Sequence, residues 1–419
     1  MDRRGFIKLT GLGGLGLFGI MTTSSCSKDS SGTSPSKGPI RIGAFYPMSG
    51  SFALMGEESW RGANLAMKRR NETGGIRGRK VEYVRADIPD VSAATSEARR
   101  LMTNGQVRIG IGTYSSALSL AASEVFARSG GSYFELNAVT NQITNRGYES
   151  VYKFVVDSEQ FLDTTFDFLA GWGAKAVGKP LPDLKIRVVH EDSAAGSSIG
   201  RFATTVANSR GVKNIAALPY SAQLTDLTSI ILRLRADPPD VVIASSYAQD
   251  GVLFARQVKE NGLKIPLFAG IGGAHGQRSF GKVLGPVADG VFSVANAQAL
   301  SNPKFAPGLD DFLKLYKAEY NDVPFAAESV DHYVGASALF DIIDAANGND
   351  DPKEIRKAAL QLDIPAGGTA AGWGIKFDER GHNTRAFATI GQWDNGELKA
   401  VWPREAALVD PKFIIPFTG

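Results

Sequence analysis

The stretch Pro39-Ile-Arg-Ile-Gly-Ala-Phe-Tyr-Pro-Met-Ser-Gly-Ser-Phe-Ala-Leu-Met-Gly56 decides the fold. Residues 40–46 are a short run rich in apolar β-formers without helical spacing, which predicts a buried strand. Pro47 ends this strand because proline cannot donate a hydrogen bond to a sheet. After a Ser/Gly-rich loop, apolar residues recur at helical spacing between Trp60 and Met67. A strand, a loop and a helix in this order form the first unit of a doubly wound α/β sheet.

The loop that follows this strand is the first candidate binding segment. In doubly wound sheets, the loops at the carboxyl ends of the strands form the ligand crevice. Residues 46–56 are therefore predicted to contact whatever the protein binds, with Tyr46 and Phe52 as aromatic candidates for stacking on a ligand.

Length, composition and charge limit the possible classes of protein. The chain has 419 residues, too many for one ordinary core, and this length predicts two lobes. Its 43% apolar and 21% charged residues are typical of a soluble globular protein. The net charge is only +3, without a long Lys/Arg block, so nucleic acid is not an expected partner. After residue 20 the sequence contains no apolar run long enough to span a bilayer.

The first residues are typical of an export address. Arg3 and Arg4 precede the Gly/Leu-rich apolar segment 9–21, which is too short for a comfortable membrane span. The paired arginines indicate the twin-arginine export route. Residues 1–26 are therefore predicted to be an export and lipoprotein signal, and the Ser/Gly/Pro/Lys-rich residues 27–38 a flexible tether.

Cys26 is the only cysteine of the chain, and small residues precede it. The arrangement resembles a bacterial lipobox, which implies cleavage before Cys26 and lipidation of its thiol. A lone cysteine in an exported chain cannot form an internal disulfide, so anchoring explains it better than folding does. The alternative is an unmodified cysteine in a simple signal peptide.

Strands alternate with helices through the rest of the chain, which predicts parallel sheets. The pattern runs twice, and the second run begins at Lys185–His190. Two such runs predict two lobes whose carboxyl-end loops face one cleft. A mostly apolar helix is expected at about 327–346, and closing strands are expected at 373–377 and 387–401.

The third predicted strand leads into a Ser-rich segment, Gly112-Thr-Tyr-Ser-Ser-Ala117, at the start of a helix. The free N–H groups and the dipole of a helix N-terminus favour an anion there. Alternatively, Ser115 or Ser116 is only an N-cap. The next strand leaves Asn137–Thr140 on a further carboxyl-end loop, and Tyr247 follows a strand of the second run.

The chain carries an ordered set of short motifs, namely Ile40–Gly43, Pro47–Gly50, Arg61–Ala63, Thr73–Gly78, Gly110–Ser116, Asn137–Thr140, Arg146–Tyr148, Val241–Tyr247 and Phe377–Gly381. Their order resembles that of the leucine/isoleucine/valine-binding family of ABC-transporter solute receptors. The resemblance covers nearly the whole chain beyond the tether. The ordered set is specific, although each motif alone is weak.

This resemblance implies a type I periplasmic-binding-protein fold of the α/β class. Two doubly wound parallel-sheet lobes, joined by three crossings, would close like a hinge on a small solute. The expected N-terminal lobe comprises residues 39–158 and 297–369. The expected C-terminal lobe comprises residues 159–296 and 370–403, and residues 404–419 form a C-terminal extension.

The family's ligand positions carry over one by one. The serine that binds the ligand's carboxylate falls on Ser115, with Ser116 beside it. The residues whose main-chain carbonyl and hydroxyl receive the ligand's ammonium fall on Ala138 and Thr140. The tyrosine of the far lobe falls on Tyr247.

One family position departs from the pattern. The acidic residue that holds the ammonium from the far lobe falls near Gly272, where the sequence has no carboxylate. A buried ammonium without a counter-charge would be costly. Either Glu328 or Asp331 substitutes, or the ligand is not an ordinary α-amino acid. An amine-free carboxylate, an amide and an aromatic acid stacking on Tyr247 or on the first loop remain open.

Motifs typical of catalysis or cofactor binding lack their usual context. Gly11–Gly16 matches a dinucleotide fingerprint, but no strand precedes it, so no cofactor is expected. Gly196-Ser-Ser-Ile-Gly200 matches a nucleophile elbow, and Ser198 with His382 would allow a serine hydrolase. However, residues 191–195 separate the motif from its strand. The four histidines are scattered, so no metal site is predicted.

The expected function is that of a non-enzymatic solute receptor for an ABC importer. The protein would be exported, periplasmic or on the cell surface, and lipid-anchored to a bacterial membrane. It would capture a small amino acid or a related carboxylate or amide and deliver it to a permease. The alternative is a sensor of the same fold that passes its ligand state to a signalling partner.

Overall fold

The computed structural model describes residues 38–105, 107–413 and 417. The predicted signal with Arg3, Arg4 and Cys26, and the tether up to residue 37, lie outside the described residues.

The first sheet contains the predicted strand at residues 40–46 and the four strands that follow it in the chain. In the described chain its five strands are all parallel and take the order β2-β1-β3-β4-β5. They are β1 (Ile40–Tyr46), β2 (Val81–Asp87), β3 (Ile109–Gly112), β4 (Ser132–Glu135) and β5 (Val151–Lys153). The helices between and after these strands are α1 (Ala53–Glu72), α2 (Val91–Thr103), α3 (Ser116–Arg128) and α4 (Gln142–Asn145).

The second sheet takes the order β12-β11-β10-β9-β8-β6-β7. Its strands are β6 (Ile186–Glu191), β7 (Ile215–Tyr220), β8 (Val241–Ser245), β9 (Leu267–Ile271), β10 (Phe292–Ala295), β11 (Thr389–Asp394) and β12 (Glu397–Trp402). The accompanying helices are α5 (Ser158–Phe168), α6 (Ala174–Val177), α7 (Ala194–Ser209), α8 (Thr228–Ala236), α9 (Ala248–Glu260) and α10 (Arg278–Leu284).

The last two strands depart from the parallel pattern. β10 pairs with β11, and β11 with β12, in antiparallel fashion. Asn395 and Gly396 connect β11 to β12, and both adopt positive φ angles, 52° and 76°. A two-residue Asn-Gly turn with this backbone is the preferred β-hairpin connection, so the chain returns at once and the strands run antiparallel.

Three further helices complete the first lobe: α11 (Leu309–Tyr320), α12 (Glu328–Ala345) and α13 (Pro352–Gln361). Helix α12 lies close to the predicted range 327–346 and packs against α1. A Cβ atom on Gly62 of α1 would lie 2.0 Å from the carbonyl oxygen of Ser329. The two helices can therefore approach this closely only with glycine at position 62.

Within residues 38–105 and 107–413, the chain passes between the two sheets three times, at 153–158, 295–309 and after Phe377. Trp373, Ile375 and Phe377 pack in the core of the first sheet, while Ala386 packs in that of the second. The predicted division at residue 369 therefore lies too early. Apolar side chains in this segment suit either core, and the backbone pairing of Ile375 with Ile364 assigns them to the first lobe.

The C-terminal extension packs on the second lobe. Phe417 pairs with Ile265 through the backbone, and its ring stacks on Phe268 with centroids 5.0 Å apart. Among the described residues, no helix combines the length and apolar character needed to cross a membrane.

Candidate functional site

A cavity of about 1030 Å³ lies between the carboxyl ends of the two sheets. The first lobe lines it with the loops after β3 and β4 and with the start of α12. The second lobe lines it with the loops after β6, β8 and β9. Of the predicted ligand residues, the lining includes Ser116, Tyr247, Gly272 and Glu328.

The two serines at the start of α3 have different environments. Ser115 is the N-cap residue, but its side chain makes no capping bond within the described helix. The Ser116 hydroxyl accepts hydrogen bonds from the N–H groups of Val139 and Thr140, both at 3.3 Å. Ser116 thus joins the loop after β3 to the loop after β4. The N-cap alternative, in which Ser115 only caps its own helix, gains no support from this geometry.

Ala138 and Thr140 lie in the loop that Ser116 holds, and both are buried. The Thr140 hydroxyl has no hydrogen-bond partner in the described part of the chain. A buried hydroxyl normally has a partner. However, neither Ala138 nor Thr140 is among the residues that line the cavity, so their contact with a ligand stays a prediction.

The carboxyl group of Glu135, the last residue of β4, is hydrogen-bonded to both the loop after β3 and the loop after β4. Its fully buried carboxyl group accepts hydrogen bonds from the backbone N–H groups of Thr113, Leu136, Asn137 and Ala138, at 2.8–3.0 Å. Burial raises the pKa of Glu135, and these N–H bonds oppose that rise. The sequence analysis missed this residue. The available signal was an acidic side chain inside the otherwise apolar strand.

The predicted aromatic candidates occupy two different places. Tyr46 is buried in the core of the first lobe, where its ring lies 6.1 Å from that of Trp60 and 5.4 Å from that of His332. This position gives no support to a ligand contact for Tyr46. Phe52 instead packs on Tyr247 of the second lobe, with ring centroids 4.9 Å apart.

Tyr114 extends this aromatic contact between the lobes, and the sequence analysis did not select it. Its ring lies 5.7 Å from Phe52 and 6.1 Å from Tyr247. Its hydroxyl reaches the loop after β9, where a Cβ atom on Gly273 would lie only 2.2 Å from it. Glycine at position 273 therefore leaves room for Tyr114 of the opposite lobe.

Tyr247 is positioned at the start of α9. Its hydroxyl lies 3.3 Å from that of Ser193. Burial raises the pKa of Tyr247 to about 12, so it stays a neutral donor and acceptor at ordinary pH.

Five acidic side chains line the cavity: Asp322 and Glu397 are exposed, whereas Glu191, Glu328 and Asp331 are buried or half-buried. Burial raises the pKa of each of these three inner acids, that of Glu328 to about 8 and that of Asp331 well above its usual range. Glu191 belongs to the far lobe and accepts bonds from the N–H groups of Ser193 and Gly196 at 2.5 and 2.7 Å. The far lobe thus supplies a carboxyl group from β6, which the sequence analysis missed.

Sequence comparison places the chain among known proteins. Residues 39–397 match the periplasmic binding protein family. The chain belongs to this family. A relative from Brucella abortus, named Leu/Ile/Val-binding protein homolog 8, is 38% identical over 375 residues, which cover 89% of this chain and 93% of the relative. The predicted family resemblance is confirmed.

Solved structures of periplasmic binding proteins share the fold. The branched-chain amino acid transporter substrate-binding protein LivJ of Streptococcus pneumoniae, in complex with isoleucine, is similar with a TM-score of 0.72 and 20% identity, over 89% of this chain and 100% of that one. A solute-binding protein of R. palustris in complex with benzoate has a TM-score of 0.72 and 21% identity, over 90% and 99% of the two chains. The predicted type I fold is confirmed.

The serine motif of this family member lies in a helix. Gly196–Gly200 is part of α7 rather than a sharp turn between a strand and a helix, which a nucleophile elbow requires. The Ser198 hydroxyl is buried and donates to Oδ1 of Asn141 at 3.5 Å, while Nε2 of His382 lies 3.8 Å from the Asp157 carboxylate. Within residues 38–105, 107–413 and 417, no group of three His, Cys, Asp or Glu side chains could hold a metal ion.

Proposed function

We propose that the protein is the substrate-binding component of an ABC importer. It captures a small amino acid or a related carboxylate or amide in the cleft between its lobes, by hinge closure. The observation that carries this proposal is the cavity between the carboxyl ends of the two sheets, with a Ser-rich helix start on one side and Tyr247 on the other. The names of the Brucella relative and of the isoleucine-bound neighbour support an amino-acid ligand.

In this proposal the ligand's carboxylate binds at the N-terminus of α3. The Ser115 hydroxyl and the free N–H groups of the first helical turn are suitable donors, and the helix dipole favours negative charge. The Thr140 hydroxyl and the Ala138 carbonyl lie in the adjacent loop, within reach of a neighbouring polar group of the ligand. Tyr247 adds a hydroxyl from the far lobe, so binding draws the lobes together.

We further propose that the N-terminal sequence exports the protein and anchors it to a membrane. Arg3 and Arg4 would direct the chain to twin-arginine export, and lipidated Cys26 would hold it at a bacterial membrane, where a permease receives the ligand. We expect Cys26→Ala to move the exported protein from the membrane fraction to the soluble fraction. Unchanged membrane association of this variant would contradict the lipid anchor.

Thermal unfolding in the presence of candidate ligands tests the binding function. The panel contains the amino acids, their amides, short-chain acids and aromatic acids. A ligand present at 100 times its Kd should add about 2.7 kcal/mol to the free energy of unfolding. The Ser198→Ala variant, tested for turnover of a chromogenic ester beside the unchanged protein, separates a receptor from a hydrolase. A panel without any stabilising compound would contradict the proposal.

A further inference from the structure

Asp331 is a buried acid whose hydrogen bonds are incomplete. Its Oδ2 atom accepts a bond from the side-chain amide of Asn137 at 2.9 Å and one from that of Asn296 at 3.0 Å. Its Oδ1 atom, and Oδ1 of Asn296, have no hydrogen-bond partner in the described residues. Both side chains line the cavity, although Asp331 is only 2% exposed and Asn296 only 5%. Two buried acceptor oxygens therefore lack a donor at the cavity wall.

The inner wall of the cavity carries acidic but no basic side chains among the described lining residues, whereas its exposed rim carries both signs, including Asp322 and Glu397. The acids Glu191, Glu328 and Asp331 are buried or half-buried, and across the described residues no lysine or arginine forms an ion pair with them. The basic lining residues are all exposed to solvent, namely Arg278, Lys282, Lys314 and Lys317. Buried carboxylates are normally paired with a positive charge. The inner part of the cavity thus lacks a positive partner.

The Asp331 carboxyl group connects two segments that are distant in the sequence. Asn137 belongs to the loop that carries Ala138 and Thr140, whereas Asn296 belongs to the second crossing between the lobes. Since both amide nitrogens donate to the same oxygen, the orientations of both amides are fixed. A ligand group bound here would contact the first lobe and the crossing segment together.

We propose that Asp331 and Asn296 form a subsite for a protonated amine of the ligand, so that the protein selects aminated carboxylates over amine-free ones. The inference rests on the proposed binding function and narrows its ligand class. An ammonium group has three N–H donors and no acceptor. Two of these donors satisfy Oδ1 of Asp331 and Oδ1 of Asn296, and its positive charge stabilises the ionised form of the Asp331 carboxyl group, which burial alone disfavours.

An amine-free acid would leave this subsite unsatisfied. Its apolar carbon in the same position would bury the two oxygens without a donor, which carries the full desolvation cost of each. A carboxylate ligand of the benzoate kind is therefore disfavoured here, even though the aromatic contact of Phe52, Tyr114 and Tyr247 lies between the same two lobes.

Calorimetry with matched ligand pairs tests the subsite. The pairs are leucine with 4-methylpentanoate and phenylalanine with 3-phenylpropanoate, which differ only in the amine. We expect the amine-bearing member of a binding pair to bind about 10- to 100-fold more tightly, as a charge-assisted hydrogen bond would produce. In Asp331→Asn this preference should be lost through weaker binding of the amine-bearing member alone. A role that is only structural would weaken both members equally.

Asp250→Asn is the matched control, because Asp250 is also a buried acid but accepts a bond from Tyr220 in the second lobe and is not itself among the lining residues. It should keep the preference for the amine. If Asp331→Asn does not fold, Asn296→Ala, which removes one of the acceptor oxygens, gives the same comparison. Equal or tighter binding of the amine-free acids to the unchanged protein would overturn the subsite and leave the binding function intact. Failure of every compound to bind would overturn both.

Discussion

At the scale of single residues, the adjacent side chains of Ser115 and Ser116 differ in their hydrogen bonds. The Ser116 hydroxyl accepts hydrogen bonds from the N–H groups of Val139 and Thr140, while the Ser115 side chain makes no capping bond within α3. Both serines look equivalent in the sequence. Only the loop after β4, which is distant in sequence, distinguishes them, because it supplies the N–H groups that Ser116 binds.

Replacing these serines one at a time should separate binding from stability. We expect Ser115→Ala to weaken the binding of a carboxylate ligand by about 1–3 kcal/mol, because a hydrogen bond to a charged group is lost. Ser116→Ala should lower the free energy of unfolding by about 1 kcal/mol, because two N–H groups lose their acceptor. Calorimetry and urea unfolding measure the two effects. Unchanged affinity in Ser115→Ala would refute its assignment to the carboxylate.

At the scale of elements, the ends of β4 and β5 carry buried charged groups beneath the ligand loops. Lys153 ends β5 at the first crossing, is fully buried, and donates to the carbonyl oxygen of Val139 at 3.4 Å. Burial lowers the pKa of Lys153 to about 8, although Asp157 and Glu135 oppose this effect. The fold therefore bears an electrostatic cost wherever Lys153 must be charged.

This cost predicts a pH dependence of stability. Between pH 8 and the ordinary lysine pKa of about 10.4, Lys153 is neutral in the folded protein but protonated in the unfolded chain. The unfolded state therefore binds more protons, and the contribution of this group to the free energy of unfolding rises with pH. We expect the free energy of unfolding of the unchanged protein, relative to Lys153→Met, to increase by about 3 kcal/mol across that range. Urea unfolding at pH 7 and pH 10 measures the difference.

The exposed Lys304→Met variant controls for the loss of one positive charge. If the difference in free energy of unfolding between the unchanged protein and Lys153→Met stays constant with pH, the burial of Lys153 does not destabilise its charged form. The comparison does not depend on the other groups that titrate in this range, since they are common to both proteins.

At the scale of the whole molecule, the lobes meet through aromatic rings and glycines. Tyr114 of the first lobe reaches Gly273 of the second, and Phe52 packs on Tyr247. Such contacts exist only when the cleft is closed to this degree. The approach of the two lobes in this structure therefore requires glycine at position 273.

A substitution at Gly273 should oppose closure. In Gly273→Ala the added Cβ atom would lie 2.2 Å from the Tyr114 hydroxyl, and we expect ligand affinity to fall by about 1–3 kcal/mol because the ring must move. Tyr114→Phe in the same chain should restore much of the affinity, since the nearest remaining ring atom would be 3.2 Å away. Calorimetry on the two single variants and the double variant measures this coupling. Additive losses would show that the two residues do not oppose each other.

Much of the fold follows from local sequence patterns. The apolar runs of β1, β6 and β8, the helical spacing of α1 and the length of α12 follow from periodicity, because a strand or helix must bury one face whatever surrounds it. Two alternating runs of strands and helices also imply two sheets with loops meeting at their carboxyl ends. The antiparallel hairpin of β11 and β12 follows from Asn395-Gly396 once its turn geometry is known.

Tertiary structure decided the partners of the polar groups. Of the residues selected from the sequence, Ser116, Tyr247, Gly272 and Glu328 line the cavity, whereas Tyr46 packs in a core. Glu135, Glu191 and Tyr114 were not selected from the sequence. Periodicity reports which side of an element is apolar, whereas a ligand site depends on which buried oxygens and N–H groups remain unpaired after segments far apart in sequence have met. Asp331 illustrates this limit, because its two partners lie 194 and 35 residues away.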